Sequence, residues 1–199
     1  MEIALFGGSF NPVHIGHYKI LASVIENHDF HKIIVIPAYR NPLKNSVPEV
    51  PVSVRLKMLK ATFAEFSNVQ ISEYELEKKQ TSYSFKTLAF FQKQYPSHFF
   101  YMIVGEDAFT SFHLWANADK ILESCRLIVF RRPGLSSPEK TDDPRSQSDK
   151  IIWIDTNIPD VSSTRIRQAE LGTVEQNHWL HKKALPIWQE YKKNSAELS

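Results

Sequence analysis

The sequence predicts an α/β domain with a mainly parallel, Rossmann-like sheet that helices cover on both faces. Two observations support this prediction. Short apolar runs alternate with segments of helical periodicity along most of the 199 residues, and a glycine-rich turn directly follows the first apolar run. Strands that alternate with helices are joined by right-handed crossovers, which enclose a parallel sheet between two layers of helices.

The hydrophobic pattern gives the order of these elements. Continuous apolar runs predict strands at residues 3–6, 33–36, 69–71, 99–104, 127–130 and 151–154. Apolar residues at helical spacing predict helices at about residues 18–26, 52–66, 84–94 and 107–112. Hydrophobic residues make up 42% of the chain, which is enough for a sizeable core. We therefore expect a single domain over residues 1–199.

Two segments in the last third of the chain depart from the alternation. Residues 133–150 are rich in Ser, Pro and Asp and hold almost no apolar residues, which predicts a surface loop. From about residue 161 to residue 199 the pattern predicts a C-terminal helical subregion. Its apolar side chains, among them Leu180 and Trp188, are expected to pack back against the sheet.

Composition narrows the class of protein. The chain has 24 basic and 22 acidic residues, a net charge of +2, and no basic run that would mark a nucleic-acid surface. No segment is long and apolar enough to predict a membrane span. Cys125 is the single cysteine, so an internal disulfide is excluded and a reducing compartment is expected. We expect a cytoplasmic protein that contacts neither membranes nor nucleic acids.

The turn Gly7-Gly8-Ser9-Phe10 predicts a phosphate-binding site. Glycines let an anion approach the main chain closely, and the helix that follows offers N–H groups and a positive dipole end. His14 and His17 are three residues apart and therefore lie on one side of the first helical turn. Gly16 lies between them and removes a side chain where a ligand could lie. The pattern is typical of a site that handles nucleotide phosphates.

The same residues allow other interpretations. The two histidines could be metal ligands, but no Cys, Asp or Glu nearby completes a ligand set. They could also be ordinary capping or packing residues, which stays an open alternative. A Walker phosphate loop is excluded because no Gly-Lys-Ser/Thr closes the turn, and the glycine spacing does not fit the dinucleotide-binding fingerprint.

A second candidate for phosphate binding follows the last predicted strand. Ser162, Ser163 and Thr164 would begin a helix there, where hydroxyl groups cap backbone N–H groups or face an anion. Arg167 lies one turn further on, where its guanidinium could bind phosphate oxygens in a forked geometry. Taken alone, the segment could also be a plain serine cap with exposed arginines. Its place after the last strand brings it to the same sheet edge as the glycine turn.

Together these motifs resemble a known group of enzymes. Residues 7–12 (Gly-Gly-Ser-Phe-Asn-Pro) followed by His14-Ile15-Gly16-His17 resemble the signature of the nucleotidyltransferase superfamily. More narrowly, they are similar to bacterial nicotinate-nucleotide adenylyltransferases, which also carry a Ser-Ser-(Ser/Thr)-x-Ile-Arg motif that residues 162–167 match. Class I aminoacyl-tRNA synthetases share the His-x-Gly-His letters, but the Lys-Met-Ser-Lys-Ser type of loop that they carry is absent here.

The resemblance implies a reaction and a set of site residues. The reaction is adenylyl transfer from ATP to nicotinate mononucleotide, which yields deamido-NAD and pyrophosphate, with Mg²⁺ held mainly by ATP phosphates and water rather than by protein ligands. The catalytic pair would be His14 and His17. The ATP site would consist of Gly7, Gly8, Ser9, Phe10, Gly16, Gly105, Asp107, Arg132, Ser162, Ser163, Thr164 and Arg167. The pyridine nucleotide would be bound by Lys44, Ser82, Tyr83, Ser84 and Trp115, the last by ring stacking.

Two positions depart from the family pattern. Leu43 stands where the family often has His, and Lys86 stands where it commonly has Asp. Other transferases of the superfamily, acting on nicotinamide mononucleotide or phosphopantetheine, remain an alternative, as does a nucleotide-binding regulator without catalysis. The sequence leaves open whether the protein forms a homodimer.

Overall fold

The computed structural model describes residues 1–44, 47–131 and 144–197. In these ranges six parallel strands form one sheet in the spatial order β3-β2-β1-β4-β5-β6. The strands are Glu2–Gly8 (β1), Lys32–Pro37 (β2), Val69–Ile71 (β3), Phe99–Gly105 (β4), Arg126–Arg131 (β5) and Ile151–Asp155 (β6). All six predicted strands are confirmed, and each observed strand contains the predicted apolar run. Their order is that of a Rossmann-like fold.

The helices surround this sheet. They are Ile15–Asn27 (α1), Val52–Phe63 (α2), Tyr74–Lys78 (α3), Ser84–Gln94 (α4), Glu106–Phe109 (α5), Ala118–Ser124 (α6), Ser163–Gln168 (α7), Leu171–Gln176 (α8) and Leu185–Glu197 (α9). Within the described ranges, 3₁₀ turns also occupy Phe112–Leu114 and Pro144–Gln147. The predicted helix at 84–94 has the expected bounds, whereas the one at 52–66 ends three residues early.

Three other expectations about helices need correction. The helix expected at 107–112 is a short α5 followed by a separate 3₁₀ turn. The helical C-terminal region is three helices with non-helical chain between them. Helices α3 and α6 were not predicted, because five and seven residues are too few to show a helical apolar repeat. Of the loop expected at 133–150, only residues 144–150 are among the described residues, and they begin with a 3₁₀ turn.

Both faces of the sheet are buried, as predicted. Adjacent residues of a strand point to opposite faces, so Leu5 and Phe6 belong to different clusters. The cluster that contains Phe6 includes apolar side chains of α1 and α2 and Trp188 of α9, whereas the cluster that contains Leu5 includes side chains of α4 and α6. Trp188 is only 1% exposed, which confirms that the C-terminal region docks against the sheet.

The order of the strands places a crevice next to β1. The chain proceeds from β1 outward to β2 and β3 on one side, and then returns to add β4, β5 and β6 on the other side. In open parallel sheets, ligands bind at the carboxyl ends of the strands where this reversal occurs. The loop after β1 and the Gly105 end of β4 both lie at that point. No helix within the described ranges is long and apolar enough to cross a membrane.

Candidate active site

The loop between β1 and α1 has an unusual backbone conformation. Phe10 has φ of 42°, a left-handed value that side chains other than glycine rarely adopt. Its ring is 1% exposed and packs edge-to-face on Phe6, with ring centroids 5.4 Å apart. A Cβ at Gly8 would lie 3.1 Å from this ring, so the second glycine of the turn makes room for Phe10. The loop is therefore held in a single conformation by a buried aromatic side chain.

His14 and His17 form a reciprocal cap at the start of α1. The Gly16 N–H donates to Nδ1 of His14 at 3.2 Å, and the His14 N–H donates to Nδ1 of His17 at 3.2 Å. The two rings lie close together, with centroids 3.8 Å apart. Because each Nδ1 accepts a hydrogen bond, a neutral ring carries its proton on Nε2. The capping alternative is thus correct, and it places the proton of each neutral ring on Nε2.

The environment of His17 favours its neutral form. Burial, together with the positive charge of Lys44, lowers the pKa of His17 from 6.5 to about 3. The side chain is therefore uncharged at neutral pH and can donate only from Nε2. The effect of Lys44 also shows that this exposed lysine, which the family resemblance assigns to the pyridine nucleotide, lies near enough to His17 to act on it.

The start of α1 differs from expectation in one respect. The sequence predicts unpaired backbone N–H groups there, but the Ile15 N–H donates to the Trp179 carbonyl at 2.8 Å and the Gly16 N–H is taken by His14. A Cβ at Gly16 would lie 3.0 Å from the His14 ring and 3.1 Å from Ile158. Gly16 is therefore required by packing, and these two N–H groups are already bonded to protein acceptors.

The serine-rich segment lies against the same loop, as the sequence predicts. Ser163 Oγ donates to the Pro12 carbonyl at 2.8 Å, and Arg167 Nη1 donates to the Asn11 carbonyl at 2.7 Å. Arg167 also forms an ion pair with Glu49 at 3.0 Å. Ser162 caps α7 by accepting the Arg165 N–H, and Thr164 is exposed. The segment therefore braces the loop, and three of its four predicted phosphate-binding side chains, Ser162, Ser163 and Arg167, have protein partners in this structure.

The segment expected to bind the pyridine nucleotide is tied to the end of β2. Ser82 Oγ accepts the Tyr39 N–H at 3.1 Å, and the Ser82 N–H donates to the Arg40 carbonyl at 2.9 Å. Tyr83 and Ser84, both half-buried, follow directly at the start of α4. Lys86, where the family has Asp, lies with its Nζ 5.3 Å from the centroid of the Tyr83 ring. These contacts bring the segment to the same edge of the sheet as the loop after β1.

Gly105, Asp107 and Trp115 follow β4, the neighbour of β1. A Cβ at Gly105 would lie 2.6 Å from Oδ1 of Asp107, so only glycine permits this position of the carboxylate. Trp115 packs on Phe112 with ring centroids 5.3 Å apart and remains half-buried. Arg132, also predicted for the ATP site, lies outside the described residues. The described members of the predicted site are thus placed on neighbouring strand ends and on the segments that contact them.

Sequence reasoning missed one residue beneath the site. Arg55 on α2 is 1% exposed, and its Nη1 donates to the carbonyls of Ser9 at 2.8 Å and Ala38 at 2.9 Å. The signal was present in the helical pattern, since Arg55 shares the apolar face of α2 with Met58 and Leu59. An arginine at a core-facing position is uncommon and marks a specific partner.

The amino-acid sequence matches known proteins over most of its length. Residues 5–169 match the cytidylyltransferase-like family. The chain is 35% identical to a probable nicotinate-nucleotide adenylyltransferase of Clostridium tetani, over 83% of this chain and 84% of that protein. This chain belongs to the nicotinate-nucleotide adenylyltransferase family. A probable nicotinate-nucleotide adenylyltransferase of Nitratiruptor sp. is 34% identical over 84% of this chain and 88% of that protein.

A solved structure agrees with the fold of this adenylyltransferase. The nicotinic acid mononucleotide adenylyltransferase of Plasmodium falciparum, solved in complex with NaAD, superposes with a TM-score of 0.74. The match covers 96% of this chain and 95% of that chain, at 19% sequence identity. The Rossmann-like architecture and the family resemblance drawn from the motifs are both confirmed.

The low pKa of His17 predicts a specific dependence of stability on pH. In the unfolded chain His17 takes up a proton near pH 6.5, whereas in the folded protein it does so only near pH 3. As pH falls through this window the unfolded state alone gains the proton, so the free energy of unfolding decreases by up to about 1.4 kcal/mol per pH unit. Urea unfolding from pH 7 to pH 4 should show a shallower decrease for His17→Asn, which keeps an acceptor for the His14 N–H. A matched His113→Asn variant at an exposed histidine should retain the wild-type slope of unfolding free energy against pH. Parallel plots for wild type and His17→Asn would contradict the assignment of the lowered pKa to His17.

Proposed function

We propose that the site at the carboxyl ends of β1 and β4 transfers the adenylyl group of ATP to the phosphate of nicotinate mononucleotide, giving deamido-NAD and pyrophosphate. The single observation that carries this proposal is the pair of His14 and His17 imidazoles beside the Gly7–Gly8 turn, whose ring centroids lie 3.8 Å apart and whose neutral forms carry the proton on Nε2. The reaction is a step of NAD biosynthesis, and the family to which the chain belongs is named for it.

In the proposed reaction, a phosphate oxygen of nicotinate mononucleotide attacks the α-phosphorus of ATP in line. The bond between the α-phosphorus and the bridging oxygen breaks, and pyrophosphate leaves with both electrons of that bond. Negative charge builds on the leaving group, and the Nε2–H groups of His14 and His17 would donate to it. The attacking phosphate is already an anion, so no general base is needed. Positioning and charge stabilisation then account for catalysis.

The other site residues would bind the two substrates. The loop at residues 7–10 would hold the α-phosphate, and Lys44, whose charge already acts on His17, would contact a phosphate. Ser163, Thr164 and Arg167 would hold the triphosphate tail, for which Arg167 must exchange part of its contact with Asn11 and Glu49. Asp107 would accept hydrogen bonds from ribose, while Ser82, Tyr83 and Ser84 would surround the pyridine ring stacked on Trp115.

Mg²⁺ would enter this site with ATP. Within residues 1–44, 47–131 and 144–197, no three His, Cys, Asp or Glu side chains are grouped to hold a metal ion. Mg²⁺ characteristically keeps several waters and binds through substrate phosphates, so the nucleotide would supply most of its ligands. The ion would partly neutralise the charge on the phosphates.

A cytoplasmic location is proposed from the single cysteine, which is reduced and buried.

Pyrophosphate release tests the proposed function directly. The protein is incubated with MgATP and one acceptor at a time: nicotinate mononucleotide, nicotinamide mononucleotide or phosphopantetheine. Turnover should be dominated by nicotinate mononucleotide and should yield deamido-NAD. Turnover with phosphopantetheine alone would assign the chain to another transferase of the superfamily. Binding of ATP without pyrophosphate release would indicate a nucleotide-binding regulator.

The donor role of His17 can be separated from its capping role. His17→Asn keeps an acceptor for the His14 N–H but lacks Nε2–H, so α1 remains capped while one donor to the leaving group is lost. Loss of one preorganised donor lowers kcat by about 100- to 1000-fold. Steady-state kinetics should show this decrease with an unchanged circular dichroism spectrum, whereas His113→Asn should retain wild-type kcat. A His17→Asn kcat within a few-fold of wild type would remove His17 from the reaction.

The stacking role of Trp115 predicts an effect on one substrate only. Trp115→Ala should raise the KM for nicotinate mononucleotide by roughly 2- to 10-fold, the range that loss of an aromatic stacking contact gives. The KM for ATP should stay close to wild type. Trp115→Phe keeps an aromatic ring and should recover most of the affinity. Equal increases in both KM values would mean that Trp115 only packs against Phe112.

A further inference from the structure

A buried positive charge lies beneath the phosphate loop. Arg55 is 1% exposed, and among the described residues no carboxylate forms an ion pair with it. Its Nε is buried and has no hydrogen-bond acceptor. Burial lowers the pKa of Arg55 to about 10, so the guanidinium is still charged at neutral pH. Because an unpaired buried charge destabilises a fold, the presence of Arg55 must be explained by something other than stability.

The two contacts of Arg55 bridge the ends of neighbouring strands. Nη1 donates to the Ser9 carbonyl, just after β1, and to the Ala38 carbonyl, just after β2. The Ala38 N–H in turn donates to the Gly8 carbonyl at 2.8 Å. Arg55 is therefore bonded directly to the turn in which the candidate site begins, from the side opposite to solvent.

This contact fixes the orientation of one peptide group. A trans peptide is planar, so its C=O and N–H point in opposite directions. With the Ser9 carbonyl directed to Arg55, the N–H of Phe10 points away from the guanidinium. Within the described ranges the N–H groups of Ser9 and Phe10 donate to no protein acceptor. Both donors are thus unused by the described residues, although Phe10 as a whole is only 1% exposed.

The left-handed conformation of Phe10 makes this orientation dependent on support. With φ of 42°, Phe10 has a left-handed backbone conformation that is unfavourable in free energy for residues other than glycine. The buried ring of Phe10 holds one side of the peptide, and the guanidinium of Arg55 holds the other. Without Arg55 the Ser9 carbonyl would lose its buried donor, and the peptide could rotate.

We propose that Arg55 is a positioning residue for the transferase reaction: it turns the Ser9–Phe10 peptide so that its N–H faces the phosphates of the nucleotide, and it adds a fixed positive charge beneath them. The proposal rests on the proposed function for the identity of the phosphates. The lack of an ion pair between Arg55 and a carboxylate of the described residues agrees with this role, since an acidic partner would cancel the positive charge beneath the phosphates. Arg55 does not itself contact substrate, because it is buried behind the loop.

Two variants of the full-length protein test this role. Arg55→Met replaces the guanidinium with an apolar chain, and Arg55→Lys keeps a positive charge on a side chain that loses its proton more easily when buried. The measurements are the thermal unfolding midpoint, kcat and KM for both substrates, and calorimetric affinity for magnesium pyrophosphate, which contains phosphate alone.

For Arg55→Met, function is expected to change more than stability. The variant removes a charge that is costly to bury but leaves the Ser9 and Ala38 carbonyls without a donor, so the two effects oppose each other and the unfolding midpoint should change little. Magnesium pyrophosphate should bind at least about 10-fold more weakly and kcat should fall by about 100-fold, as misplacement of a reacting group produces. Wild-type affinity and kcat in this variant would overturn the proposal, and so would a loss of activity that merely follows a lower unfolding midpoint.

Arg55→Lys provides the readout that a packing role would not change. The lysine is charged below its lowered pKa, so activity relative to wild type should decrease as pH rises from 6 to 9, a range in which Arg55 stays charged. A ratio that does not change with pH would overturn the charge role, and this result decides the question if Arg55→Met does not fold. Absence of turnover by the wild-type protein would contradict the proposed function instead, and the pyrophosphate affinities would still test Arg55.

Discussion

Parallel pairing of β1 with β2 on one side and β4 on the other is the constraint on which the site depends. Because the chain adds strands in both directions from β1, the connections leave the carboxyl ends of β1 and β4 in opposite senses and open a crevice between them. The loop at residues 7–10 and the Gly105 turn lie at this crevice because their strands are neighbours. Residues far apart in sequence therefore lie at one sheet edge.

Within that crevice the two histidines serve the fold and the chemistry with different atoms. Their Nδ1 atoms accept backbone N–H groups and complete the start of α1, while the proton of a neutral ring lies on Nε2. A cap that fixes a ring also fixes the direction of its second nitrogen. The capping and the functional interpretations of His14 and His17 are thus compatible, and the cap explains why the donors keep their geometry before any nucleotide binds.

Much of the surrounding hydrogen bonding holds the loop rather than a ligand. Ser163 and Arg167 bond to the carbonyls of Pro12 and Asn11, and Arg55 bonds to that of Ser9. Each of these contacts turns a carbonyl toward the protein. Carbonyl oxygens would repel phosphate, so a loop whose carbonyls are engaged from behind is suited to bind anions through its N–H groups. Preorganisation of this kind allows charge to be stabilised without reorganisation during the reaction.

Local apolar runs and motifs of short spacing were enough to predict the strands, the Rossmann-like class and the family, and to point to the loop after β1 as a candidate phosphate site. The sequence also predicted that residues 162–167 reach the loop, since that segment follows a strand of the same parallel sheet. Only the tertiary structure decided what each polar group contacts: the N–H groups of Ile15 and Gly16 at the start of α1 are paired, Arg167 binds Asn11 and Glu49, and Arg55 lies under Ser9. The physical reason is that a hydrogen bond is defined within a few tenths of an ångström, and such distances arise from the packing of segments that the sequence separates by up to 156 positions.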